Sequence, residues 1–240
     1  MAVRRDPAAA LEATPPLSPV APRIRALVFD FDGLILETET PAYESWADIY
    51  REHGHELPRE RWLEYIGRES GWFDVLGHLE SLVAGPFDRV AVKKRRDERR
   101  NALVARLDVM AGVRDYLTEA RRLGLRLAVA SSSPGEYVRG HLTRLGLGGD
   151  WDAVVCREDA ERAKPAPDLF LRAVELLGVA PDEAVAFEDS PNGVAAAKAA
   201  GLWVVAVPNE LTAAGDLSQA HCRVATCAEL PLVDLLARLG

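Results

Sequence analysis

The sequence predicts an α/β protein with a doubly wound parallel sheet and an α-helical insertion after the first strand. Three observations support this fold class. Short apolar runs recur along the chain and end at polar residues or proline. Helical patterns that stop before a glycine separate the later runs. The stretch from residue 33 to residue 112 contains helical patterns but no convincing strand.

Five apolar runs are the candidate strands. They are short, rich in Val, Leu and Ala, and not alternating, which is typical of strands buried on both faces of a parallel sheet. The runs cover residues 24–29, 127–130, 153–156, 184–187 and 202–207. Asp30, Ser131 and the pair Glu188-Asp189 directly follow three of them. Because open parallel sheets bind ligands beyond the carboxyl ends of their strands, we expect these side chains to converge at one edge.

Helical patterns alternate with the later strands. Each pattern is followed by a glycine, the residue that commonly ends a helix. The predicted helices cover residues 113–123, 135–145, 169–177 and 193–200. Strand and helix in alternation imply right-handed crossovers and therefore a Rossmann-like core.

The region after the first strand is expected to form a helical cap. Its predicted helices cover residues 41–52, 59–66, 72–82 and 87–107, and Thr40-Pro41 fits an N-cap followed by a proline at the first helical position. We expect a disordered tail at 1–22, a core formed by 23–37 and 108–240, and a cap at 38–107. Such an insertion would close over the carboxyl edge of the sheet. A helical module without contact to the site is the alternative.

Composition limits the partners. The formal net charge of −8 disfavours nucleic acid as a general partner. No apolar run approaches the roughly 20 residues of a membrane span. Three cysteines, Cys156, Cys222 and Cys227, form no C-x-x-C pair, which disfavours a disulfide framework and a zinc site. We expect a cytoplasmic protein without membrane partners, monomeric although an oligomer is compatible with the sequence.

Two carboxylates follow the first strand in Asp30-Phe31-Asp32-Gly33. Carboxylates two residues apart at a strand end can face one cavity, where one attacks phosphorus and the other serves as general acid and base. Gly33 permits the turn that places both. Turn formation or helix capping is the structural alternative.

Two further segments add groups that bind phosphate. Ser131, Ser132 and Ser133 offer hydroxyl and backbone N–H groups after the second strand, with N-capping of the next helix as the alternative. Lys164, one of four lysines in the chain, could balance negative charge at the site, or it could lie on the surface.

Glu188-Asp189 completes the set. These oxygen ligands suit Mg²⁺, which would compensate locally for the acidity of the chain. Capping of the next helix by Asp189 or Ser190 is the alternative.

The order of these motifs resembles the haloacid dehalogenase superfamily, in the branch with a helical cap after the first strand. The matching segments are FDFDGLILETE, VASSS, KPAPDLF and FEDSPNGVAAAKAAG, and the resemblance extends from about residue 24 through the chain. It implies a phosphatase in which Asp30 accepts the phosphoryl group and Asp32 protonates the leaving group and then activates water. Ser131 would bind phosphate and Lys164 would hold the charges together.

The same resemblance implies the metal ligands. Mg²⁺ would be bound by Asp30, the backbone carbonyl of Asp32 and Asp189, with Glu188 holding a metal-bound water. Asp32 also distinguishes this chain from members that act as dehalogenases, which lack an acid two residues after the nucleophile. The implied substrate is a small phosphorylated metabolite such as a sugar phosphate.

A phosphosugar mutase is the alternative activity. β-Phosphoglucomutases, which share this cap and core, carry a His twelve residues after the nucleophile, where this chain has Ala42. Hydrolysis is therefore favoured. A phospho-acceptor signalling module is a third hypothesis, disfavoured because its acceptor Asp lies on a later strand than its acidic pair.

Substrate contacts are expected from Thr38, Arg68, Ser132 and Ser133. Thr38, followed by Glu39, lies where the chain enters the cap, and Arg68 lies between two predicted cap helices. A surface arginine at a helix end is the alternative for Arg68. Trp46, Trp62 and Trp72 have the spacing of helix core residues.

Overall fold

The computed structural model describes residues 24–65 and 73–239. Six parallel strands form one sheet in the order β3-β2-β1-β4-β5-β6. The strands are β1 Ala26–Phe29, β2 Arg126–Ala130, β3 Ala153–Val155, β4 Ala184–Glu188, β5 Trp203–Ala206 and β6 Cys222–Arg223. The predicted doubly wound α/β fold is confirmed.

Helices cover both faces of this sheet. They are α5 Val113–Arg122, α6 Gly135–Arg144, α7 Asp168–Leu177, α8 Pro191–Ala199 and α9 Leu232–Leu239. Along β1, Leu27 and Phe29 pack against a cluster that includes residues of α5, α6 and α9, whereas Ala26 and Val28 pack against residues of α7 and α8. The absence of alternation in the sequence thus reflects burial on both faces.

The five predicted strands and four predicted core helices agree with the structure to within two residues at every end. The sequence pattern did not predict β6 or α9. The two residues of β6 are too few to produce a periodic signal. In the described residues, no helix is long and apolar enough to cross a membrane, and the three cysteines are free.

In the described residues between β1 and α5, there are four helices. They are α1 Glu39–Glu52, α2 Arg59–Tyr65, α3 Val75–Leu82 and α4 Arg89–Val104. Their apolar side chains form a cluster of their own, in which Trp62 is buried and Trp46 is partly buried. Trp72 lies outside the described residues. The exact division into core and cap stays a prediction.

The predicted start of the first of these helices is wrong. Thr38, not Thr40, occupies the N-cap position, so Pro41 is the third helical residue. Proline is tolerated there because the first-turn N–H groups have no partner within the helix.

Candidate active site

The first strand brings Asp30 to the carboxyl edge of the sheet. Its N–H donates to the carbonyl of Phe187 at 2.9 Å, so Asp30 continues the pairing between β1 and β4 and lies level with Glu188. Gly33 follows with φ of +83°, and a Cβ at this position would lie 2.2 Å from Oδ2 of Asp189. Only glycine therefore lets the chain turn this close to the carboxylates.

Lys164 joins two of the acidic strand ends. Its Nζ forms ion pairs with Asp30 and with Oε1 of Glu188, the latter at 2.6 Å, and its side chain is 7% exposed. Burial works against its charge, but Asp30 and Glu188 more than offset this and hold the pKa of Lys164 above its usual value. The alternative of a surface lysine is therefore wrong.

Glu188 is fixed from several sides. Besides Lys164, it accepts hydrogen bonds from the N–H and the hydroxyl of Ser190, both at 3.0 Å, and it is fully buried. Gly193, in the first turn of α8, packs against it so closely that a Cβ there would lie 1.7 Å from Oε1. Ser190 also caps α8 through Gly193 N–H, which leaves Asp189 out of the capping role.

Three buried carboxylates could hold a metal ion. Oxygen atoms of Asp30, Glu188 and Asp189 lie within 4.8 Å of one another. When all are ionised, Lys164 leaves two negative charges of this cluster unbalanced. Burial, followed by the charges of Glu188 and Asp30, raises the pKa of Asp189 well above its usual value.

The pKa of Asp30 responds to the same excess of negative charge around it. Burial raises the pKa of Asp30 to about 8, with Lys164 opposing this rise and Glu188 and Asp32 adding to it. Carboxylate oxygens are the ligands that Mg²⁺ prefers, and a divalent cation would balance the cluster. The residues present therefore fit the predicted metal.

Asp32 is held by two hydroxyl groups from distant parts of the chain. Thr38 donates to Oδ1 at 2.8 Å, and Ser133 donates to Oδ2 at 2.6 Å. The carboxyl group therefore has one donor on each oxygen, which fixes its orientation. Substrate contacts of Thr38 and Ser133 stay predictions; the structure places both hydroxyls on Asp32.

The other two serines lie beside this group. Ser131 is buried, and its Oγ accepts the N–H of Ser133 at 3.0 Å. Ser132 Oγ accepts the N–H of Lys164 at 3.4 Å. The N-cap of α6 is Pro134 with no side-chain cap bond, so the N-cap alternative for these serines is wrong.

Sequence analysis missed four polar residues near these groups. Asn209 donates to Asp189. Its signal was weaker than that of Asp30, since it comes two residues beyond a predicted strand, whereas Asp30 follows its strand directly. Glu39 was noted only as an entrance residue. Burial and then the charges of Asp32 and Glu37 raise the pKa of Glu39 to about 7.

The other two residues, Arg100 and Tyr137, join the insertion to the core. The guanidinium of Arg100, on α4, lies 5.3 Å from the ring centroid of Tyr137, on α6. Arg100 Nε is buried without a hydrogen bond in the described residues, whereas the Tyr137 hydroxyl interacts with Arg100 and Asp32. Burial and then Asp32 raise the pKa of Tyr137 above its usual range. Their position depends on how α4 packs, which periodicity does not reveal. Arg68 lies outside the described residues.

Comparison with known proteins adds independent information. Residues 24–201 match a family described as haloacid dehalogenase-like hydrolase. The chain is 41% identical to "Putative phosphatase YhcW" of Bacillus subtilis over 90% of this chain and 98% of that protein. It is 29% identical to "Phosphorylated carbohydrates phosphatase" of Thermotoga maritima, covering 75% and 82% of the two chains. It is also similar to the crystal structure of a "putative beta-phosphoglucomutase from Thermotoga maritima", with a TM-score of 0.74 and 28% identity over 88% and 98% of the chains.

Proposed function

The chain belongs to the haloacid dehalogenase-like hydrolase family, and we propose that it is a Mg²⁺-dependent phosphatase that hydrolyses a small phosphorylated sugar through a phosphorylated Asp30. One observation carries the proposal. The carboxylate of Asp30 is ion-paired to Lys164 and lies beside Glu188 and Asp189 at the carboxyl edge of the sheet. Relatives named as phosphatases, one of them of phosphorylated carbohydrates, support the substrate class.

In the first half of the proposed reaction, a carboxylate oxygen of Asp30 forms a bond to phosphorus and the ester P–O bond breaks. The leaving oxygen takes a proton from the carboxyl group of Asp32. In the second half, Asp32 removes a proton from water, whose oxygen attacks phosphorus and releases phosphate from Asp30. The hydroxyls of Thr38 and Ser133 keep Asp32 oriented for both proton transfers.

Lys164 balances the charge that develops on the phosphoryl oxygens, and Ser131 offers a hydroxyl to the same group. Asp30, Asp189, Glu188 and the backbone carbonyl of Asp32 are the proposed holders of Mg²⁺. When bound, the cation would supply charge neutralisation for the transferred group.

We propose that the helical insertion covers the leaving group. Two contacts bring it to the core near the site. The hydroxyl of Thr38, at the start of α1, donates a hydrogen bond to Asp32. A guanidinium nitrogen of Arg59, in α2, forms an ion pair at 3.1 Å with Oε1 of Glu210 in the loop after β5. The buried Nε of Arg100 and the buried hydroxyl of Tyr137 lie at the same boundary. We propose that they contact the sugar next to the ester oxygen, together with Glu39. A role for Arg68 stays a prediction.

A phosphosugar mutase remains the second candidate, because a solved structure with the printed name of a β-phosphoglucomutase is similar to this chain. Its reaction would return the phosphoryl group of Asp30 to a sugar hydroxyl. The side chain of Ala42 packs against the core of the insertion and offers no acid or base. This residue favours hydrolysis.

The test is phosphate release from a panel of sugar phosphates, with Mg²⁺ or with a chelator. The panel includes β-glucose 1-phosphate, with formation of glucose 6-phosphate followed in parallel. Asp30→Asn should abolish turnover without loss of fold. Asp182→Asn, at the exposed amino end of β4, is the matched control and should retain wild-type turnover.

Three outcomes contradict parts of the proposal. Isomerisation without phosphate release would establish the mutase. Substantial turnover by Asp30→Asn would remove Asp30 as the nucleophile. Full activity in the chelator would remove the metal.

A further inference from the structure

The side-chain amide of Asn209 lies directly against the carboxylate of Asp189. Nδ2 of Asn209 donates to Oδ2 of Asp189 at 2.9 Å, and both side chains are buried. In the described part of the chain, Asp189 accepts no other side-chain hydrogen bond. Rotation of this carboxylate is therefore limited by a single polar contact, which comes from the loop after β5.

The orientation of the Asn209 amide is fixed by its own loop. Its Oδ1 accepts the N–H groups of Leu211 and Thr212, both at 3.0 Å, and its N–H donates to Oγ1 of Thr212 at 3.0 Å. An amide oxygen and nitrogen are assigned by their partners. Here two donors face the oxygen, so the NH₂ group must face Asp189.

The neutral amide of Asn209 also suits the acidic surroundings of Asp189. Glu188 and Asp30 already surround Asp189, so a further acid would add repulsion, whereas an amide donates without adding charge. Gly33 packs against the same contact, because a Cβ there would lie 2.2 Å from Oδ2 of Asp189 and 3.0 Å from Nδ2 of Asn209. Both the turn after β1 and the loop after β5 thus restrict the Asp189 carboxylate.

We propose that Asn209 is a positioning residue that holds the carboxylate of Asp189 in the orientation required to bind the divalent cation. This inference rests on the metal site of the proposed function. Groups that hydrogen-bond a metal ligand typically contribute about 10- to 100-fold to metal affinity.

The experiment is titration of the purified full chain with Mg²⁺ by calorimetry, without substrate. Asn209→Asp keeps the oxygen that accepts from Leu211 and Thr212, but it puts an ionised carboxylate oxygen, which cannot donate, where Asp189 needs a donor. Asn209→Ala removes both functions. Thr212→Ala is the control, since it loosens the loop and leaves the donor to Asp189 in place.

Both Asn209 variants should bind Mg²⁺ about 10- to 100-fold more weakly, whereas Thr212→Ala should stay within about threefold of wild type. Because Asn209 touches no reacting atom, raising Mg²⁺ to saturation should restore most of the kcat that Asn209→Ala loses at limiting Mg²⁺. Melting temperatures without Mg²⁺ separate loop destabilisation from the effect on the metal.

Wild-type affinity in Asn209→Asp would overturn the inference, as would equal losses in Asn209→Ala and Thr212→Ala. In either case, Mg²⁺ binding by the wild type would leave the proposed function intact. A wild-type chain that does not bind Mg²⁺ would overturn both this inference and the metal of the proposed function.

Discussion

A methyl group added at Gly193 should damage the site through Glu188. Alanine at this position in α8 would place Cβ 1.7 Å from Oε1 of a carboxylate that three donor groups hold in place. Either the helix moves, at a cost of about 1–3 kcal/mol for overpacking, or Glu188 moves and loses a charged hydrogen bond of about 1.5–3 kcal/mol.

The matched control is Gly140→Ala in the middle of α6. A Cβ at Gly140 meets nothing within 4 Å, so this substitution should stabilise the fold by about 0.5–1 kcal/mol, the ordinary gain of alanine over glycine in a helix. The same gain offsets part of the cost at Gly193. The two variants should therefore differ by about 2 kcal/mol in free energy of unfolding, or about 4–8 °C in melting temperature for a chain of this size.

Activity should separate the variants further. A shifted Glu188 carries Lys164 with it, and a misplacement of about 1 Å near a reacting group can lower kcat about 100-fold. Thermal melts and phosphate release measured on the same preparations provide both readouts. If Gly193→Ala were as stable and as active as Gly140→Ala, the described packing around Glu188 would be refuted.

Three further predictions concern the acid and the residues around it. Thr38→Val should lower kcat about 10-fold or more and lower the free energy of unfolding by about 1.5–3 kcal/mol, because it removes a hydrogen bond to the Asp32 carboxyl group. No further loss is expected from helix capping, because Thr38 makes no side-chain cap bond; wild-type kcat would contradict the role. Arg100→Gln and Tyr137→Phe should raise KM for a hydrolysed sugar phosphate but not for p-nitrophenyl phosphate, and equal effects on both esters would contradict a sugar contact. Glu39→Gln should raise the melting temperature at pH 8 but not at pH 4. The pKa of Glu39 is raised to about 7 in the folded protein, so the fold loses stability as pH rises from about 4.5 through 7 and this carboxyl group ionises. A gain in melting temperature that does not change with pH would contradict this.

The sequence was sufficient for five of the six strands and for most of the groups at the carboxyl edge of the sheet. Asp30, Ser131 and Glu188 each follow a buried apolar run, and parallel strands must bring such residues together. Asn209 follows the same rule but was missed because Pro208 intervenes. The interpretation stopped at the proline, which cannot donate a backbone hydrogen bond and therefore marks the strand end.

Side-chain partners could not be predicted in the same way. Thr38 and Ser133 were both expected at the substrate, and their hydroxyls lie on Asp32. Tyr137 and Arg100 come from helices of the core and of the insertion, and their proximity depends on how α4 packs against α6. A helical period gives the buried face of each helix but not the register in which two helices meet.

The charge of the site links its two expected ligands. Asp30, Glu188 and Asp189 outnumber Lys164 by two charges when all are ionised. A phosphate monoester is itself an anion, so this buried cluster opposes its approach until a divalent cation has bound. The ester must then bind more tightly in the presence of the cation. Linkage is reciprocal, so the ester must raise the affinity for the cation by the same factor. Without the cation, the three carboxylates repel the phosphate ester. With the cation bound, this repulsion is removed, so each ligand favours binding of the other. An acidic chain can therefore bind an acidic substrate.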